Sequence, residues 1–225
     1  ENNSYSYYFK GDTNYNYVLL NNKYYRIYKV DENGNIKVIY AGSIAHDNGY
    51  DDSKEKDTII GNSNFNDNAN NEIYTGYTYL DETNTINIDS DIKTMIDKWY
   101  EDNIKDTDIE QNIVDAIYCN DNNIECSLVK SYTVNPDIGN GILKYPVGLI
   151  SYKELEIVGN KYLNNNISFW TMTQADSKNN EFYMYSYLDK FNTNKVNDVL
   201  GIRPVMTITA NNLKGDGTKD NPYTY

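Results

Sequence analysis

Cys119 and Cys126 are the residues with the most legible chemistry. They bracket Cys119-Asn-Asp-Asn-Asn-Ile-Glu-Cys126 in a chain with no other cysteine. An even count at close spacing favours a disulfide clasping a small loop over two free thiols. A zinc pair is disfavoured, because no second cysteine pair exists and His46 is the only histidine. His46 itself has no legible catalytic partner and reads as a loop residue. Asp47, Asp51 and Asp52 beside it could attract a hard cation, although such acidic loops are usually just solvated. Asp31-Glu-Asn-Gly-Asn35 resembles the start of a calcium loop but lacks the closing glutamate, so it reads as a turn. Tyr183, Tyr185 and Tyr187 alternate along one predicted strand and would share a face. That face is the candidate ligand-binding surface, set against ordinary sheet packing of tyrosine. Gly-x-Ser-x-Gly, His-Glu-x-x-His and the phosphate loop are all missing from the sequence. No catalytic residue, cofactor or metal is therefore expected. An enzyme of the carbohydrate-acting kind remains the alternative, since its carboxylates can lie far apart in sequence.

Bulk composition bounds the partners. The chain has 225 residues and a formal charge of -13, which argues against nucleic acid and anionic membrane surfaces. Apolar content is a modest 39%, but 24 tyrosines supply large apolar bodies with polar tips, so a packed core is expected. The 36 asparagines fit an AT-rich genome, or else a tyrosine- and asparagine-rich binding face. No apolar run is long enough to span a membrane. Because the chain begins at Glu1, it reads as a mature or excised form, with an upstream anchor or prepilin helix removed. A membrane would then be reached only through that segment.

These residues must be positioned by predicted elements of an α+β chain. Tyr24 to Val30 and Ile36 to Tyr40 alternate around an Asn-Gly turn, which signals a hairpin. Residues 41–75 read as long surface loops. The best helix runs from Asp89 to Ile104, with Ile92, Met95, Ile96, Trp99 and Tyr100 on its apolar stripe and Asp89 or Ser90 as cap. Thr107 to Glu110 fits a capping box for a further helical turn, and Ile113 to Tyr118 reads as a strand. Val147 to Ile150 is a buried strand after the Gly139-Asn-Gly141 turn. Ser151 to Glu154 is a second capping box, opening a helix over Tyr152–Val158 that stops at Gly159. Strands follow at Ile167 to Met172, Phe182 to Leu188 and Ile202 to Thr209, with Pro204 at the start or edge of the last. Trp99 and Trp170 are expected as core anchors. Arg203, flanked by apolar residues, is expected to be buried and paired, tying the last strand to a loop. No repeat or linker interrupts residues 1–225, so one domain is preferred.

Four ordered blocks carry a resemblance. They are Phe9 to Val18 with Tyr24 to Ile27 and Gly34 to Ile39; Ile92 to Ile104 leading to Ala116 to Asp121; Val147 to Glu154 with Phe169 to Met172; and Gly201 to Val205 with Gly215 to Thr218 and Asn221 to Tyr223. Together they resemble a family of surface and pilin-associated domains of low-GC Gram-positive bacteria. The Gly201-Ile-Arg-Pro-Val205 ending is similar to C-type-lectin-like folds of the formylglycine-generating-enzyme type. Tyr25 departs from the tryptophan expected before Arg26. The resemblance implies C-type-lectin-like mixed and antiparallel sheets, two or three short helices and long surface loops. It implies an extracellular location, on the cell surface or in a pilus. The function implied is adhesion or ligand binding, or a place as a filament subunit. Partners would be a host-surface or glycan ligand, or other pilus subunits. The formylglycine-generating activity does not carry over, because Cys119 and Cys126 sit in one tight loop.

Overall fold

The computed structural model describes residues 5–48, 55–121, 126–159, 162–164, 166–179, 181–188 and 190–225. The strands among them are β1 (Tyr7–Tyr8), β2 (Tyr17–Leu20), β3 (Lys23–Val30), β4 (Ile36–Gly42), β5 (Asn62–Ser63), β6 (Thr78–Leu80), β7 (Asn87–Asp89) and β8 (Ile113–Val114). Then come β9 (Tyr118–Cys119), β10 (Ser131–Tyr132), β11 (Val147–Gly148), β12 (Phe169–Lys178), β13 (Glu181–Tyr187), β14 (Phe191–Lys195), β15 (Leu200–Gly201) and β16 (Val205–Ile208). Two α-helices, α1 (Asp91–Asn103) and α2 (Tyr152–Val158), complete an α+β fold. Among the described residues no helix is long and apolar enough to cross a membrane.

The expected hairpin forms as β3 and β4. Asp31 Oδ1 accepts the N–H groups of Asn33 and Asn35, and Gly34 takes the positive φ of 80° that closes the turn. That turn fixes the register, placing Lys29 opposite Lys37. The hairpin lies within a larger antiparallel sheet of order β1-β3-β4-β16-β11, with β2 also on β3 and β8 also on β16. All seven residues of β4 are buried, Lys37 included, so the strand does not alternate in and out as expected. It is a central strand, covered on both faces. A second sheet has the order β14-β13-β12-β15-β5. Its strands are antiparallel except where β12 meets β15, at Phe169 and Gly201.

The chain end joins these sheets. Sequence reading takes Ile202 to Thr209 as one strand, but the strand begins only at Val205, as β16, and a separate short strand, β15, precedes it. β15 belongs to the second sheet and β16 to the first, and residues 202–204 cross between them. Pro204, with no N–H to give a ladder, sits at the break. The terminal segment folds back beside the start of the chain, where Leu19 donates to the Tyr223 carbonyl at 2.9 Å and Tyr223 to that of Tyr17 at 2.9 Å. Gly217 is required there: any Cβ would stand 2.5 Å from the Tyr15 carbonyl oxygen.

Both helices are capped as their sequences predict. The Ser90 hydroxyl accepts from Lys93 N–H, and Ser151 and Glu154 form a reciprocal capping box. Ile92, Ile96, Trp99 and Tyr100 face the core, but Met95 is 37% exposed. The stripe turns instead to bury Lys93 between Asp89 at 3.0 Å and Asp97 at 2.6 Å. The capping box expected at Thr107 does not form. Its hydroxyl donates back to the Ile104 carbonyl, and only a 3-10 turn follows at Glu110–Asn112. Residues 113–118 also divide, between β8 and β9 in different sheets. The polar stretch 41–75 is not all surface, since Ile59 and Phe65 are buried in it. Trp170 is fully buried, donates to the Ser63 carbonyl at 2.8 Å and meets Phe65 edge-on. Trp99 packs edge-on against Tyr40.

A tyrosine-rich core makes the fold sensitive to alkali. Burial pushes the hydroxyls of Tyr25, Tyr28, Tyr77 and Tyr118 upward, and Tyr40 to about 12. The folded chain then holds these protons more tightly than the unfolded chain. Their stabilising contribution is complete below the ordinary tyrosine value of 10.0 and falls as pH rises toward about 12. Thermal melts are therefore expected to drop above pH ~10, with the last part of the tyrosinate absorbance, from the buried tyrosines, rising together with loss of near-UV dichroism. Ionisation of every tyrosine before unfolding would contradict the packing described.

Candidate functional site

A groove of about 800 Å³ lies over one face of the larger sheet. Its floor is a cross-strand row: Tyr8 opposite Lys29, and Lys29 opposite Lys37. One wall is α2, through Lys153, Glu154, Glu156 and Ile157. The other is the segment 114–117 with Ile138 and the Cys119–Cys126 pair, and the turn after β3 closes one end.

Two lysines directly opposite on one sheet face repel each other. Glu154 answers them. Its Oε1 lies 3.1 Å from Lys37 Nζ, which also donates to the Ile117 carbonyl at 3.0 Å. Its Oε2 accepts the N–H of Ser151. Burial pushes the Glu154 carboxyl up, but the Lys37 and then the Lys29 ammonium groups, with the Ser151 backbone N–H, outweigh it and hold the carboxyl below its usual range. Lys29 is half-buried, with its ammonium 5.5 Å over the Tyr8 ring. The pair thus clamps α2 onto the sheet and shapes the groove. Capping-box reasoning singles out Glu154 but gives no hint of Lys37. The signal was present in the hairpin register, which sets the two lysines face to face and calls for a carboxylate above them.

The cysteines form a disulfide, and both of them lie in the outer wall. Replacing both by serine is expected to lower stability by about 2–3 kcal/mol, the loop-closure entropy of so short a ring. Chemical denaturation of the variant beside the oxidised protein measures this, and equal midpoints would show that the bridge contributes nothing.

His46 has a partner that the sequence did not reveal. Its Nε2 is 3.1 Å from Asp57 Oδ2, while the Ser43 hydroxyl donates to Asp57 Oδ1 at 2.8 Å. Burial raises the Asp57 carboxyl, but Ser43, His46 and backbone N–H groups bring it below its ordinary range. Serine and histidine both point at the carboxylate and not at each other, so the histidine is not placed to take the serine proton. Asp47 is exposed and pairs with Lys219 at 2.8 Å; Asp51 and Asp52 lie outside the described residues. Among the described residues no cluster of three or more histidine, cysteine or acidic side chains could hold a metal.

The tyrosine row is divided by burial. Tyr187 is 3% exposed and packs against Phe169 and Phe191, so it belongs to the core and not to a binding face. Tyr185 is half-buried and lies against Tyr152 of α2, with ring centres 4.4 Å apart. Tyr183 is half-buried under the Lys178 ammonium. Arg203 is buried as expected. Its Nε donates to the Tyr40 carbonyl at 3.0 Å and its Nη1 to the Leu163 carbonyl at 2.7 Å. Arg26, not singled out by sequence, is also buried. It is held by Asn16, Asn48 and the Thr13 carbonyl, with its guanidinium 3.8 Å over the Tyr17 ring.

The chain is thus an α+β protein with a disulfide-walled groove. No protein-family model matches it, and neither does any curated protein or solved structure.

Proposed function

We propose that the chain is a non-enzymatic extracellular binding module, carried on a cell surface or in a pilus, and that the groove between α2 and the disulfide loop holds its ligand. One observation carries this reading: the buried base of the groove floor, Lys37, and the buried acid of its α2 wall, Glu154, are locked to each other. A carbohydrate-acting enzyme needs a carboxyl raised enough to donate a proton beside an ionised partner. Glu154 is held low by Lys37, the opposite of a general acid. The disulfide favours an oxidising compartment. The C-type-lectin-like part of the reading is in keeping with the return of the chain end to its start and with the crossing of residues 202–204 between two sheets. Tyr185, beside α2, and Tyr183 on the same strand extend the surface that a glycan or host protein would meet.

Immunogold labelling of intact producing cells with antibody to this chain tests the display. Label along filaments makes it a pilus subunit, and diffuse label on the envelope an anchored adhesin. Cells that label only after permeabilisation would sink the extracellular reading.

A further inference from the structure

We infer that the groove receives an extended, basic polypeptide segment bearing aliphatic side chains, an inference that rests on the groove being the binding site. Its volume of about 800 Å³ is that of a ligand site and not of a packing defect. Three lysines face six carboxylates around it. Lys37 is spent on Glu154, and Lys153 on Glu156 at 3.1 Å. At the rim, Asp31, Glu32 and Asp115 accept from backbone N–H groups or a hydroxyl. None of these three has a cation within ion-pair distance among the described residues. The rim therefore presents uncompensated negative charge to whatever enters.

The walls add a second chemistry. Ile117 and Ile138 on one side and Ile157 on the other are 41%, 45% and 38% exposed. Leu128 and Val129, which follow Cys126 closely in sequence, are 69% and 71% exposed. The segment after Ile138 is tied to them, since Asn140 Nδ2 donates to the Val129 carbonyl. Exposed aliphatics gathered on one lobe mark an interaction surface. An extended peptide supplies both chemistries, since its side chains alternate between faces. A charge of -13 disfavours a second copy of this chain or a nucleic acid as the occupant. It attracts a cationic segment and speeds its encounter.

The test titrates the intact protein with three labelled peptides of about ten residues, each spanning roughly 33 Å when extended. One alternates lysine and leucine, one glutamate and leucine, and one lysine and serine. The lysine–leucine peptide is expected to bind in a salt-sensitive way, and the other two at least about tenfold more weakly. Glu32→Lys combined with Ile157→Ser, both at exposed positions lining the groove, is expected to weaken it about tenfold with an unchanged melting temperature. Asp102→Lys, which adds the same charge on α1, is expected to leave binding unchanged. No binding by the lysine–leucine peptide overturns the inference. So does equal binding by the glutamate–leucine peptide, or equal weakening by Asp102→Lys, which would mean general charge attraction. Those results leave cell-surface labelling, and the display it reports, untouched.

Discussion

Lys37→Met is expected to destabilise the protein by about 3–5 kcal/mol at neutral pH, the usual cost of leaving one partner of a buried ion pair uncompensated. Both side chains are nearly covered, at 8% and 13% exposure. In the native protein Glu154 is held below its ordinary value, so the pair stabilises the fold above that range and the effect is lost as pH falls through the folded value. Without Lys37 the burial of Glu154, which raises its carboxyl, dominates. The variant then gains relative stability as pH falls, because the folded state takes up the proton more readily. The gap between native and variant proteins should be widest near neutrality and narrow toward pH ~4. Glu154→Gln added to Lys37→Met should restore most of the loss, since an amide can still accept from Ser151 and no buried charge remains. Chemical denaturation at several pH values checks this. A gap independent of pH, or a double variant no better than the single, would show that the pair does not clamp α2.

That pair also marks where sequence reasoning ends. The hairpin, both helix caps and the buried, structural character of Trp99, Trp170 and Arg203 were legible, because each rests on a local signal or on residue type. The groove was not, because its floor and wall come together across 117 positions, from Lys37 to Glu154. The crossing within residues 200–208 was equally hidden: an apolar run does not say that Leu200–Gly201 and Val205–Ile208 join different sheets. Residues 41–75 misled by composition. Their asparagines and aspartates masked Phe65, which is fully buried against Trp170. Tyr187 shows the limit of strand alternation, which gave its face correctly but not what covers that face.

Arg203→Ala is expected to cost about 3 kcal/mol or more and to unfold the protein before any loss of binding can be read. The guanidinium bridges the Tyr40 carbonyl, on β4 of the larger sheet, and the Leu163 carbonyl, in the segment after α2. It does so from the crossing segment between the two sheets, resting 5.0 Å over the Phe169 ring of β12. Its removal orphans two buried acceptors and opens a cavity at the point where sheets and helix meet. Burial first, and then the like charge of Arg26, pull the guanidinium down to about 9. The site therefore does not favour the charge itself and depends on the fork geometry of the donors. Arg203→Lys should for that reason fail to rescue, since one ammonium cannot reproduce two divergent N–H groups. Arg203→Met should recover only the packing part of the loss. Denaturant midpoints for the three variants separate these contributions. An alanine variant that melts like the native protein would release Arg203 from its structural role and leave a buried guanidinium in need of another explanation.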